Sequence, residues 1–198
     1  MPTVFTHPAP VLALGIGLGT GFLSPRLLAF AVFCSLLPDL DVIGFKLGIG
    51  YADALGHRGI SHSLVFAFGL GLLAACLAPL LRCRAIIAFG IISFAIIIHI
   101  VLDAMTSGGL GVAAFWPWDE TRYFLPWRPI RVSPLSPRAF LGARGMAVLQ
   151  SELLWVWLPC AAGVCALWLA RWRRNQDKIA VPPQSASHIR EKKLFHTR

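Results

Sequence analysis

His99 and Asp103 stand four residues apart in a stretch otherwise made of Ile, Phe, Val and Leu, so on a helix they share one face. Ionisable groups at membrane depth are costly and mark functional sites, although an intrahelical hydrogen bond between the two also fits the spacing. Asp39 and Asp41, two apart after Pro38, can aim both carboxylates at one cation if the segment is a loop. In His57-Arg58-Gly59-Ile60-Ser61-His62-Ser63, Gly59 permits a sharp turn and Ser61 can cap the following helix, so that His57 and His62 converge. His7 lies just ahead of the first apolar run. Four of six histidines and three of six aspartates thus form one candidate ligand set: His7, Asp39, Asp41, His57, His62, His99 and Asp103. Mixed imidazole and carboxylate donors suit zinc first, or manganese or iron, better than calcium.

Seven donors exceed what one tetrahedral ion needs, which points to a two-metal site with a bridging water. Metal-activated water needs an electrophile that develops negative charge. Arg58 or Arg122 can stabilise the oxygens of a phosphoryl or carboxyl group, and either can equally be an interfacial anchor. Glu152 is a candidate general base or additional ligand. Ser61 is read as a helix cap rather than a nucleophile, because no strained elbow sequence surrounds it.

The elements that must position these residues are apolar. The chain of 198 residues is 57% apolar and 14% charged, with a mean hydropathy of +0.69. Soluble domains carry about 25% charge, so a single water-soluble core is excluded. Five nearly charge-free stretches approach the ~20 residues that cross a bilayer. They run from about Pro8 to Leu23, Leu27 to Leu37, His62 to Leu81, Ala85 to Met105 and Leu153 to Ala170. Gly15, Gly17, Gly19 and Gly21 suit close packing of the first helix. Pro38 to Gly59 and Thr106 to about Gln150 read as connections. The second is irregular for most of its length, and Trp116, Trp118, Tyr123 and Trp127 suit the membrane interface.

The charge of +9 does not indicate nucleic acid, since the segment from Arg171 to Arg198 alone supplies +6. That pattern fits a cytoplasmic tail, and counting back through five crossings puts the N-terminus outside. The same count places all seven candidate ligands on one side, here the extracytoplasmic one. Five arginines from Arg122 to Arg144 oppose the positive-inside pattern, but long loops weigh less. Residues 1–173 form one membrane-embedded unit and 174–198 a basic, disordered tail, with Pro182, Pro183, Ser185 and Ser187 among its residues. Cys34, Cys76, Cys83, Cys160 and Cys165 include no C-x-x-C pair and read as small hydrophobes. No charge precedes Arg26, so the N-terminal run lacks the basic region of a cleaved signal and is expected to be a retained helix.

Thr6-His7, Leu37-Pro38-Asp39-Leu40-Asp41, His57 to Ser63 and His99-Ile100-Val101-Leu102-Asp103 occur in that order over the first half of the chain, followed by Phe115-Trp116-Pro117 and Arg122-Tyr123. This ordered set resembles the YdjM-like family of bacterial and archaeal inner-membrane proteins, described as LexA-regulated, membrane-bound metal-dependent hydrolases. The resemblance implies a multi-pass helical protein of the inner membrane with metal-dependent hydrolase activity. The expectation is therefore an all-α polytopic membrane protein of about five transmembrane helices, with a long extracytoplasmic loop between helices four and five. It binds a divalent metal and cleaves an ester or phosphoester of a lipid-like substrate. Two other readings use the same residues: a metal or proton transporter, and a structural or regulatory protein whose polar cluster holds helices together.

Overall fold

A computed structural model describes residues 1–134 and 137–180, with side chains placed through residue 176 apart from that of residue 137. The tail expected to be disordered lies, from residue 181 on, outside the described residues. Among the described residues the chain is helical, and its strand-like pairing is limited to isolated bridges. The helices are α1 (Ala9–Leu18), α2 (Pro25–Cys34), α3 (Leu64–Cys76), α4 (Ala85–Ala104), α5 (Pro137–Phe140), α6 (Ala143–Glu152) and α7 (Leu158–Ala180).

Three helical stretches are long and apolar enough to cross a membrane: Pro25–Leu47, Ala85–Ala104 and Ala143–Gln176. α1 and α3 are shorter than their expected spans. Of the five expected spans, the second continues α2 through a 3-10 helix, Pro38–Leu47, where the sequence had suggested a loop. The fifth begins ten residues earlier than expected: α6 forms in polar sequence containing Arg144, Gln150 and Ser151, then passes through a π turn, Leu153–Trp157, into α7. α7 also runs past residue 173 without a break.

Small residues let these helices approach, which is how packing proceeds where lipid removes the usual hydrophobic gain between helices. A Cβ on Gly15 would fall 2.6 Å from Leu28 of α2, and one on Gly17 would fall 2.5 Å from Leu167 of α7. α3 and α4 meet through fully buried alanines, Ala67 and Ala74 on one and Ala88 and Ala95 on the other. Large apolar side chains such as Ile16, Leu72, Ile86 and Trp168 remain more than half exposed, a surface suited to acyl chains. Ser24 caps α2 by accepting from Leu27 N–H at 3.1 Å, with Pro25 at the first helical position.

The connection after α4 folds back over the ends of α3 and α4. Leu125 N–H donates to Ala104 C=O, Ser107 N–H to Ile130 C=O, Ala113 N–H to Arg58 C=O and Leu64 N–H to Ala114 C=O. These bonds satisfy helix-terminal carbonyls and amides and place a polar roof over the buried end of the bundle. Among the described residues, every buried ionisable side chain lies at that end.

Candidate metal centre

Local geometry separates the two aspartates. A 3-10 helix has three residues per turn, so side chains two apart diverge by about 120°. Asp39 therefore enters the helix bundle while Asp41 turns toward the segment containing His57, so the two carboxylates are not brought to one point as their spacing had suggested. The helix cap also differs from expectation. Ser63 caps α3 by accepting from Phe66 N–H at 3.1 Å, and Ser61 is left free to donate its hydroxyl to Asp41 Oδ2 at 2.7 Å.

Asp39, His62, His99 and Asp103 converge, each offering a donor atom within 4.8 Å of all the others, and all four are buried. His62 Nε2 is 3.1 Å from His99 Nε2, 3.1 Å from Asp103 Oδ2 and 4.0 Å from Asp39 Oδ1. His99 Nε2 is 3.6 Å from Asp39 Oδ1. The far nitrogens of both rings are fixed by acceptors: His99 Nδ1 lies 2.8 Å from Ser35 C=O, and His62 Nδ1 lies 3.0 Å from Ser61 Oγ, whose own proton goes to Asp41 Oδ2. A nitrogen that donates to a carbonyl or hydroxyl oxygen leaves the opposite nitrogen with a lone pair. Two such lone pairs facing each other at 3.1 Å repel unless a cation or proton lies between them.

The donor set fits a divalent ion. Tetrahedral coordination at zinc–nitrogen bonds of about 2.0–2.1 Å separates neighbouring donors by about 3.3 Å, close to the spacings found. Both carboxylate oxygens of Asp39 and of Asp103 lack hydrogen-bond partners although they are buried, a costly state that a bound cation relieves. Asp39, Asp41 and Asp103 outnumber Arg58 and the Met1 amine, leaving a net negative charge that a bound cation offsets.

The other three candidate ligands are distributed around this centre. Asp41 accepts from Arg58 N–H at 2.9 Å as well as from Ser61, and its Oδ1 lies 2.6 Å from His57 Nδ1. Through Ser61 it orients His62 from behind, and His57 stands behind Asp41, outside the convergent four. His7 stacks on His99 with ring centroids 3.7 Å apart and lies 3.4 Å from Asp39 Oδ2.

The three residues assigned to catalysis from sequence are engaged structurally. Arg58 is fully buried, with backbone φ +66°. Its Nε lies 3.0 Å from Asp103 Oδ2, one terminal nitrogen donates to Gly108 C=O and the other to Thr106 Oγ1. It holds Asp103 in place. Arg122 donates to His57 C=O at 2.8 Å and Asp53 C=O at 2.9 Å, clamping the segment ahead of His62. Glu152 is buried away from the four ligands and accepts from Thr3 N–H, Thr3 Oγ1 and Thr6 Oγ1. The π turn puts residues five apart on one face, so Trp157 Nε1 reaches the same Thr6 hydroxyl at 3.0 Å. Glu152 thereby ties down the segment that carries His7.

Burial and neighbours set the electrostatics. Burial pushes the His7 pKa down to about 3, so this ring is neutral. Burial also lowers the Arg122 pKa.

Sequence reasoning missed Thr3, Ser35 and Thr106, and gave Thr6 no role beyond its place in the Thr6-His7 motif. A lone carboxylate opening an apolar helix, as Glu152 does, signals that donors must be found for it; a main-chain acceptor such as Ser35 C=O leaves no sequence signal.

The profile of the YdjM inner membrane protein family matches residues 1–176. The chain is 42% identical over 181 residues to inner membrane protein YbcI of Escherichia coli (strain K12), covering 88% of this chain and all of that protein. No solved structure is significantly similar to it.

Proposed function

The chain belongs to the YdjM family of inner membrane proteins, and on that premise we propose that it is a metal-dependent hydrolase of an ester or phosphoester. The observation that carries this reading is the face-to-face pair of His62 and His99 Nε2 atoms, flanked by the buried carboxylates of Asp39 and Asp103, whose oxygens accept no hydrogen bond. These four residues would hold the ion, zinc first and manganese or iron otherwise. A divalent ion held by this cluster with an open coordination position would lower the pKa of water and polarise a phosphoryl or carbonyl oxygen.

The protein's own groups do the rest. Ser61, held by Asp41, and Ser35 C=O fix the tautomers of His62 and His99, Arg58 holds Asp103, and the folded-back connection limits bulk water. A cavity of about 520 Å³ beside the centre is lined by Phe45, Tyr51, His57, Gly109, Val132 and Arg144. Apolar and cationic groups together suit an anionic headgroup ester with an apolar tail. Hydrolysis consumes one water: its oxygen bonds to phosphorus or the acyl carbon, the ester bond breaks and a proton passes to the leaving oxygen.

In this reading the chain crosses the inner membrane five times, α1 and α3 spanning with their flanking turns. The centre faces the extracytoplasmic side, the N-terminus is outside and the basic tail is cytoplasmic. The concentration of buried ionisable groups at one end favours a hydrolase over a transporter, which needs polar residues along a path. The test is hydrolysis of phospholipids and lipid phosphates by detergent-solubilised protein supplied with zinc or manganese. Turnover that disappears in His99→Ala supports the reading; no turnover on any of these substrates counts against it.

A further inference from the structure

Asp39 and Asp103 each present their two oxygens in different directions. Asp39 Oδ1 faces His99 and His62, while Oδ2 faces His7 Nε2 at 3.4 Å. Asp103 Oδ2 faces His62 and Arg58, while Oδ1 faces His7 Nε2 at 3.8 Å. His7 is wholly buried, and neither of its ring nitrogens has a hydrogen-bond partner. Its ring is held against His99 and its backbone by the segment that Glu152 anchors. A buried imidazole with two orphaned nitrogens is costly, and here Nε2 points at two carboxylate oxygens that are orphaned as well.

We propose that the cluster holds a second divalent cation between His7 Nε2, Asp39 Oδ2 and Asp103 Oδ1, with both carboxylates bridging the two ions. The inference rests on the metal-centre reading above and divides the labour within it. The position between His62 and His99 has four protein donors, the closed coordination of a structural ion. The position at His7 has three, which leaves room for water or a substrate oxygen. That second position lies on the cavity side, since the Met1 amine is 3.9 Å from Asp103 Oδ1 and Met1 lines the cavity. Carboxylate-bridged pairs of this kind stand about 3.5–4 Å apart. Two divalent ions against Asp39, Asp41, Asp103 and Arg58 make the cluster net positive, the sign that draws an anionic substrate such as a phosphoester.

The test is metal stoichiometry on full-length protein in detergent, reconstituted with Zn²⁺ and analysed by elemental mass spectrometry beside His7→Ala. Two ions per chain falling to one in His7→Ala supports the proposal. One ion per chain in both proteins overturns it and leaves the four-residue centre standing. No ion in the wild type overturns both. Should His7→Ala fail to fold, Mn²⁺-loaded wild type decides by electron paramagnetic resonance. A spin-coupled spectrum supports the pair, and the hyperfine sextet of an isolated ion refutes it.

Discussion

Asp41→Asn separates a residue that orients a ligand from one that binds the ion. In the folded protein Asp41 Oδ2 accepts from Arg58 N–H and Ser61 Oγ, Ser61 Oγ stands 3.0 Å from His62 Nδ1, and Oδ1 meets His57 Nδ1. Asparagine keeps one oxygen for the two donors and places its amide against His57, which can present a lone pair by changing tautomer. The shape survives, but the bonds lose the carboxylate's charge, and charge-assisted bonds are about twice as strong as neutral ones. Loss of an outer partner to a metal-bound imidazole weakens metal affinity by about 10–100-fold, or about 1.4–2.8 kcal/mol. The assay is Zn²⁺ competition against chelators of graded strength. Unchanged stoichiometry with affinity weakened in that range is the expected result. Affinity equal to wild type would refute the orienting role, and complete loss of the ion would make Asp41 a direct ligand.

Two further outcomes follow from the surroundings of the centre. Glu152→Gln removes the charge that receives three bonds from Thr3 and Thr6 and should destabilise the fold by about 1.5–3 kcal/mol, while the ion between His62 and His99 is retained. Thermal unfolding followed by tryptophan fluorescence, with metal content measured alongside, checks both halves, and unaltered stability would remove Glu152 as the anchor. An imidazole must be deprotonated to bind a metal ion, so uptake of Zn²⁺ should release protons and apparent affinity should fall as the pH is lowered below neutrality. Calorimetry in buffers of differing ionisation enthalpy reads the released proton, and a buffer-independent heat would contradict it.

The parts legible from sequence were those governed by composition along the chain. α4 stands at Ala85–Ala104 against an expected Ala85 to Met105, because a long apolar run leaves few alternatives. His62, His99, Asp39 and Asp103 were all among the candidate ligands, since a buried ionisable side chain in such a run demands a partner. The divergence of Asp39 from Asp41 was not legible, because it depends on a 3-10 helix in place of a loop, and the two differ by small backbone changes. Arg58 looked like a group for substrate; its left-handed backbone and its bonds to Gly108 and Thr106 arise only when the connection after α4 folds back. α6 was hidden by its polar residues, and Glu152 by partners almost 150 positions away.

The most direct test of the central claim is the metal content of protein purified from membranes, measured by elemental mass spectrometry beside Asp103→Ala and His57→Ala variants of matched elution profile. The account predicts stoichiometric zinc, manganese or iron in the wild type, loss in Asp103→Ala and retention in His57→Ala, because His57 stands behind Asp41 and does not face the ion. Wild-type protein that holds no metal even after reconstitution would contradict it and leave the buried histidines and aspartates a purely structural cluster.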